Sequence, residues 1–462
     1  MCGVFGIVNH PEAANLSYLG LHALQHRGQE SGGVVSCDKD TLHAVRKMGL
    51  VSDIFTERRL ARLPGDLAIG HVRYTTSGGS LPKNIQPLTA EYREGAVAIA
   101  HNGNLVNAEQ LRVELEGQGA IFASNSDTEV ILQLLARRSE ADIVTRLRGA
   151  LSRVQGAYSL VMIAEGQLIA VRDPHGFRPL VLGRMKGQPD TYVVASETCA
   201  FDLIAAERIR DVEPGEILVI GNGELRSVMI PKVTRRACIF EHVYFARPDS
   251  LLDDVSVYNA RIKMGQRLAV EAPASADVVI PVPDSGVVAA MGYAQQIGLP
   301  FEMGLIRNHY VGRTFIEPKD SIRHFGVRLK LNPVPGRLRG KRVIVVDDSI
   351  VRGTTCQKIV KMIRDAGAAE IHLRISSPPI NGACFYGIDT PNRDELVASR
   401  KSPSEVATAI GADSVAHLSP EGLLESVGAG GDETYCTACF TGDYPVRITR
   451  QPPRRQLRLV EV

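Results

Sequence analysis

Two hydrophobic rhythms divide this chain and limit what it can fold into. From about residue 237 it runs in β–loop–α units. DVVIPVPDSG (277–286) is an apolar strand entering a polar loop, and VVAAMGYAQQIG follows as a helix. KRVIVVDDSIVRGTT (341–355) repeats the strand and loop, after which Cys356, Ile359, Val360 and Ile363 share one helical face; Gly367 ends that helix and EIHLRISS (370–377) is the next strand. Uninterrupted apolar strands between helices call for a parallel sheet covered on both faces. Residues 1 to about 230 instead alternate short Val- and Ile-rich segments with Gly and Pro, as in LAIGHVRYTT (67–76), AVAIAHNGNL (96–105), YSLVMIAEGQLIAVRDPHG (158–176), TYVVASET (191–198) and GEILVIGNGEL (215–225). AEGQL and IGNGEL read as hairpin turns, and helical patterns cover 124–138 and 140–154. This half predicts layered α+β. The change of texture falls in LRSVMIPKVTRR (225–236), dividing the chain into units of 2–232 and 233–462.

The 462 residues suffice for two or three domains, and a net charge of +2 gives no electrostatic reason for a nucleic-acid or anionic-membrane partner. No apolar run approaches the roughly 20 residues of a membrane span, and MCGVFGIVNH lacks the features of a secretory signal. A cytosolic location is expected, where the eight cysteines serve as nucleophile, metal ligands or core residues rather than disulfides.

Cys2 follows Met1, and loss of that Met would put a thiol and a free α-amine on one residue. An α-amine with a pKa near 8 can take the thiol proton without a histidine. Alone, a cysteine at position 2 is more often an incidental residue than a nucleophile. Its company is CGVFGIV, LQHRGQES (24–31), GHVRYTTSG (70–78), HNGNL (101–105) and NSDTE (125–129), in that order. Together these resemble the class II glutamine amidotransferase domain, built on the αββα N-terminal nucleophile fold. The resemblance implies that Cys2 attacks the glutamine amide, with Asn102 and the Gly103 N–H as oxyanion hole. It also implies Arg73 for the substrate carboxylate and Asp127 for its ammonium. Singly, Arg73 could be a strand residue, Asp127 a helix cap and Asn102-Gly103 a turn. His26, His71 and His101 sit in the same motifs and are expected to support the site through hydrogen bonds rather than act as its base.

In VIVVDDSIVRGTT (343–355), Asp347 and Asp348 stand at a strand's carboxyl end, where open α/β sheets bind ligands. Ser349, Arg352, Gly353, Thr354 and Thr355 lead into a helix whose N-terminus suits a phosphate. The bland reading is a strand with a capped helix below it. The segment resembles the phosphoribosyl pyrophosphate motif of type I phosphoribosyltransferases. That implies Mg²⁺ near Asp347, Asp348 and Ser285, with PVPDSG (281–286) as diphosphate loop. The basic stretch 313–342 reads as a lid, with Arg328, Lys330 and Arg352 as candidate phosphate contacts.

Cys436 and Cys439 form a C-x-x-C pair that could be a redox pair, half a zinc site or two core thiols; Cys238 and Cys384 lie far off in sequence. Taken end to end, with EHVYFARPDS (241–250) and NGACFYGIDTP (381–391), the chain resembles the iron–sulfur branch of the amidophosphoribosyltransferases. That branch implies a [4Fe–4S] cluster on Cys238, Cys384, Cys436 and Cys439, though thiolate ligands alone would equally suit zinc. It further implies transfer of glutamine nitrogen to phosphoribosyl pyrophosphate, feedback by purine nucleotides and a homotetramer. Rival readings are another enzyme with the same first domain, such as glucosamine-phosphate synthase or asparagine synthetase, or a non-catalytic binder of phosphoribosyl pyrophosphate or nucleotides.

Overall fold

The computed structural model describes residues 1–75, 79–221, 224–231, 233–309, 330–428 and 434–448. Arg328, the turn at 222–223 and most of GAGGD lie outside them.

The first half builds two antiparallel sheets face to face. One has seven strands in the order Ala206–Asp211, Val181–Met185, Tyr192–Ala195, Gly3–Val8, Leu67–Arg73, Ser31–Asp38 and Thr41–Met48. The other has six, ordered Glu224–Met229, Glu216–Gly221, Gln167–Arg172, Gly156–Ala164, Gly95–Leu105 and Leu88–Tyr92. Side chains on a strand alternate between faces. Val4, Val8, Ala98, Ala100, Val161 and Ile163 therefore fill the core between the sheets. Phe5 and Ile7 turn outward under the Ala13–Ala23 helix. Ile99, Leu160 and Met162 face the other way, beneath Ile131, Leu134, Leu135 and Leu147 of the Thr128–Ala136 and Ile143–Leu151 helices. The result is the expected αββα stack.

The second half holds a four-stranded parallel sheet, ordered Val278–Pro281, Arg342–Asp347, Glu370–Ile375 and Ser414–His417. Val279, Ile344 and Val346 pack on one face with Met264 and Leu268 of the Val257–Glu271 helix and Tyr293 of Val287–Ile297. Ile280, Val343, Val345 and Leu373 face Ile359 and Ile363 of Thr354–Asp365 and Val406 of Pro403–Ile410. Both faces are covered, as the apolar runs require.

Of the stretch 313–342 expected as a lid, 313–329 lies outside the described residues, and 331–342 is largely regular structure. Leu331–Pro333 pairs with Leu305–Arg307, Pro335–Leu338 makes a helical turn, and Arg342 opens a sheet strand. The reason is burial: Leu331 and Leu338 join the core of the second half.

Candidate active site

Cys2 lies just ahead of Gly3–Val8, which is fixed on both sides by Leu67–Arg73 and Tyr192–Ala195. The thiol is buried, and its hydrogen bond runs to the Tyr74 carbonyl at 3.5 Å, not to an imidazole. The Cys2 backbone N–H donates to Asn102 Oδ1 at 3.2 Å. Asn102 belongs to Gly95–Leu105 in the facing sheet, so nucleophile and amide come from different layers. With Oδ1 engaged, the fully buried Asn102 Nδ2 has no hydrogen-bond partner. A buried donor left empty costs about 1–3 kcal/mol. It is tolerated where a ligand oxygen completes it.

The histidines support this geometry. His71 Nε2 lies 3.1 Å from the His101 carbonyl, and His101 Nδ1 lies 3.0 Å from Thr128 Oγ1. Burial, helped by the Arg73 charge, lowers the His71 imidazole to about 3, so it stays neutral. Asp127 caps the Thr128–Ala136 helix through Thr128 N–H and accepts the Leu105 N–H at 2.9 Å, tying that helix to the Asn102 strand. Its capping reading is therefore correct, and any contact with substrate would be additional. Arg73 ends its strand, mostly buried, with Nη2 3.2 Å from the Gly79 carbonyl.

Sequence reasoning missed a buried ion cluster behind Cys2. Arg27 Nε donates to the Cys2 carbonyl at 3.0 Å. The same guanidinium pairs with Glu197 and, at 2.8 Å, with Glu241, which also receives Arg178 Nη1 at 3.1 Å. Burial alone would raise the Glu197 carboxyl, but His26 and Arg27 hold it well below the usual carboxylate range. Arg27 and Glu241 stood inside motifs already singled out, LQHRGQES and EHVYFARPDS. A charged residue that never reaches solvent leaves no periodic signal.

In the second half, Asp347 ends its strand and Asp348 follows, only 7% and 6% exposed. Ser285 lies close enough to both for its hydroxyl to favour their charged forms, and Ser349 Oγ donates to Asp348. Burial and mutual repulsion push the Asp347 carboxyl well up, and burial raises Asp348. A divalent cation would relieve that cost, so this donor set fits one. Gly353 caps the Thr354–Asp365 helix, with Thr354 and Thr355 exposed at its start. Arg352 pairs with Glu395 at 2.9 Å, so contact with a phosphate would require that pair to open. Lys330 holds Asn308 N–H on its carbonyl at 2.8 Å.

The four cysteines proposed as cluster ligands are brought together. Ala237–Cys238 and Tyr435–Cys436 pair as a short parallel sheet with Cys238 beside Cys436. Asn381 and Gly382 N–H groups bind the Cys439 carbonyl, drawing the Cys384 loop in. Burial raises the Cys439 thiol well above its ordinary value, and the thiols of Cys238, Cys384 and Cys436 raise it further. The Arg178 guanidinium feels Cys238 and Cys384. Among the described residues, no three such side chains form a closed metal-binding group. The thiols are near enough to act on one another's charge without forming such a group.

The glutamine amidotransferase domain model matches residues 71–202, and the phosphoribosyl transferase domain model matches 255–376. The chain is 54% identical to the chloroplastic amidophosphoribosyltransferase 2 of Arabidopsis thaliana over 98% of its length and 81% of the relative's. It is 51% identical to the amidophosphoribosyltransferase of Archaeoglobus fulgidus, covering 97% and 98% of the two chains. Among solved structures, the glutamine phosphoribosylpyrophosphate amidotransferase of B. subtilis complexed with ADP and GMP superposes with a TM-score of 0.92 at 48% identity, covering 97% and 98%. On full-length identity and fold alike, the chain belongs to the amidophosphoribosyltransferases.

Proposed function

We propose how the residues of this chain divide the work of the family reaction, the first committed step of purine biosynthesis from glutamine and phosphoribosyl pyrophosphate. With its amine free, Cys2 attacks the glutamine side-chain amide. Asn102 Nδ2 and the Gly103 N–H take the developing oxyanion, Arg73 the α-carboxylate and Asp127 the α-ammonium. Ammonia leaves, and water hydrolyses the glutamyl thioester to glutamate. The ammonia displaces diphosphate from C1 of the sugar held at Asp347–Thr355, giving 5-phosphoribosylamine. Backbone N–H groups at Thr354 and Thr355 bind the 5-phosphate, and Lys330 assists. Asp347, Asp348 and Ser285 would hold Mg²⁺, which neutralises the leaving diphosphate when bound. The two activities divide between 2–232 and 233–462. The observation that carries this reading is the empty, buried Asn102 Nδ2 beside Cys2.

Glutamate release, measured with and without phosphoribosyl pyrophosphate, tests the scheme. Strong stimulation is expected, with diphosphate appearing in step. Glutamine left untouched under both conditions by protein with a free Cys2 amine would end it. The phosphoribosyl transferase match over 255–376 gives no support to the glucosamine-phosphate synthase or asparagine synthetase rivals, and a non-catalytic binder would leave Cys2, Asn102, Gly103 and Asp127 unexplained.

Cys238, Cys384, Cys436 and Cys439 would hold a [4Fe–4S] cluster of structural role, since no electron moves in the reaction. Anaerobically purified protein should be brown and contain iron and sulfide; a colourless, zinc-loaded protein would overturn this assignment. Feedback by purine nucleotides is proposed from the B. subtilis complex with ADP and GMP. A homotetramer is proposed from the family resemblance, with inhibition assays and sedimentation as their tests. No helix among the described residues is long and apolar enough to cross a membrane, and the eight free cysteines suit a reducing cytosol.

A further inference from the structure

We propose that Phe385–Gly387, a turn of the second half, is a positioning element for glutamine hydrolysis, bracing Gly103 so that the oxyanion hole is complete only when the two halves are docked. The inference rests on the glutaminase reading and extends it to residues outside the first half.

Gly103 has φ +152°, and a Cβ there would lie 2.1 Å from the Ala157 carbonyl oxygen on the neighbouring strand. No side chain anchors this residue, so its peptide orientation depends on what touches its backbone. Gly387 lies against it. A Cβ on Gly387 would stand 3.0 Å from the Gly103 carbonyl carbon and 3.1 Å from its Cα and its oxygen. The two backbones thus meet with nothing between them. The next residue, Asn104, donates from Nδ2 to the Phe385 carbonyl at 2.9 Å. The turn is itself pinned. Tyr386 stacks on Phe177 with centroids 4.3 Å apart, and its hydroxyl donates to the Val446 carbonyl at 2.9 Å. Gly103 is therefore held on one side by the Gly156–Ala164 strand and on the other by a fixed turn. Oxyanion donors act only when aimed at the developing charge, and small displacements are expensive in rate.

The test uses full-length, metal-replete protein. Gly387→Ala, strained at φ +109° and crowded against Gly103, should lower kcat for glutamine hydrolysis about tenfold or more. KM for glutamine, ammonia-supported synthesis and the rate of Cys2 alkylation by iodoacetamide should stay within about twofold. Asn104→Ala should shift the same ratio less, and Asn104→Gln, which can still donate, should restore part of it. If Gly387→Ala does not accumulate folded, the Asn104 pair decides. Unchanged glutamine turnover, or equal loss of glutamine and ammonia activities, overturns the proposal. Absence of glutamine hydrolysis in the unsubstituted protein would instead show that the glutaminase reading had failed, and this inference with it.

Discussion

Cys2→Ala is expected to abolish glutamine use, by more than about 10⁴-fold, while ammonia-supported formation of phosphoribosylamine stays within about threefold. The substitution removes one sulfur atom and little else. The bond from the residue 2 N–H to Asn102 is a backbone contact and survives, as do the strand pairings from Gly3 onward. The Arg27 bond to the residue 2 carbonyl also remains. What disappears is the thiol proposed to form the thioester. The residues proposed for the synthase step sit on the parallel sheet of the other half, away from Cys2 in the fold. Parallel glutamine and ammonia assays with phosphoribosyl pyrophosphate present read the outcome. Loss of both activities in a variant that melts like the parent would sink the two-site scheme.

Glu241→Ala should be the most destabilising single change near the site, costing about 3–5 kcal/mol. Glu241 is almost fully buried and accepts from both Arg27 and Arg178, neither of which reaches solvent. Removing it leaves two guanidiniums in a low-dielectric setting with Glu197 as the remaining carboxylate partner of Arg27. Arg261 adds to the effect: it donates to the His242 and Ala246 carbonyls and so fixes the turn that carries Glu241. Urea unfolding of variant and parent, compared by midpoint at matched slope, measures the loss. A shift worth under 1 kcal/mol would mean that water enters and solvates the arginines, contrary to their burial.

How much of this was legible beforehand follows from the physics of each element. The Thr354–Asp365 helix announced itself because Cys356, Ile359, Val360 and Ile363 keep helical spacing, and all four are buried. The Thr128–Ala136 helix was legible from its cap and apolar face, though it is shorter than 124–138. The Ala13–Ala23 helix was not. It contains Gly20, whose hydrogen lies against the Phe5 ring, so the residue that breaks the helical pattern is demanded by packing. The Ser31–Asp38 strand, SGGVVSCD, also lacks the usual alternation because both its faces are covered. At the site, Cys2, Asn102, Asp347 and Asp348 were nameable because their motifs are contiguous. The Arg27–Glu197–Glu241–Arg178 cluster was not, since its members come from four distant segments and only the fold makes them neighbours.

Met1 sets a deadline. Its side chain is 1% exposed, and Arg178 and Glu241 lie against it from later parts of the chain. For Cys2 to present a free amine, the bond ahead of it has to be cut while that spot is still open. At synthesis rates of about 5–20 residues per second, Glu241 leaves the ribosome on the order of tens of seconds after Cys2. A peptidase has that interval; a chain that closes uncut keeps the Cys2 nitrogen in its bond to Met1, walled in by Arg178 and Glu241.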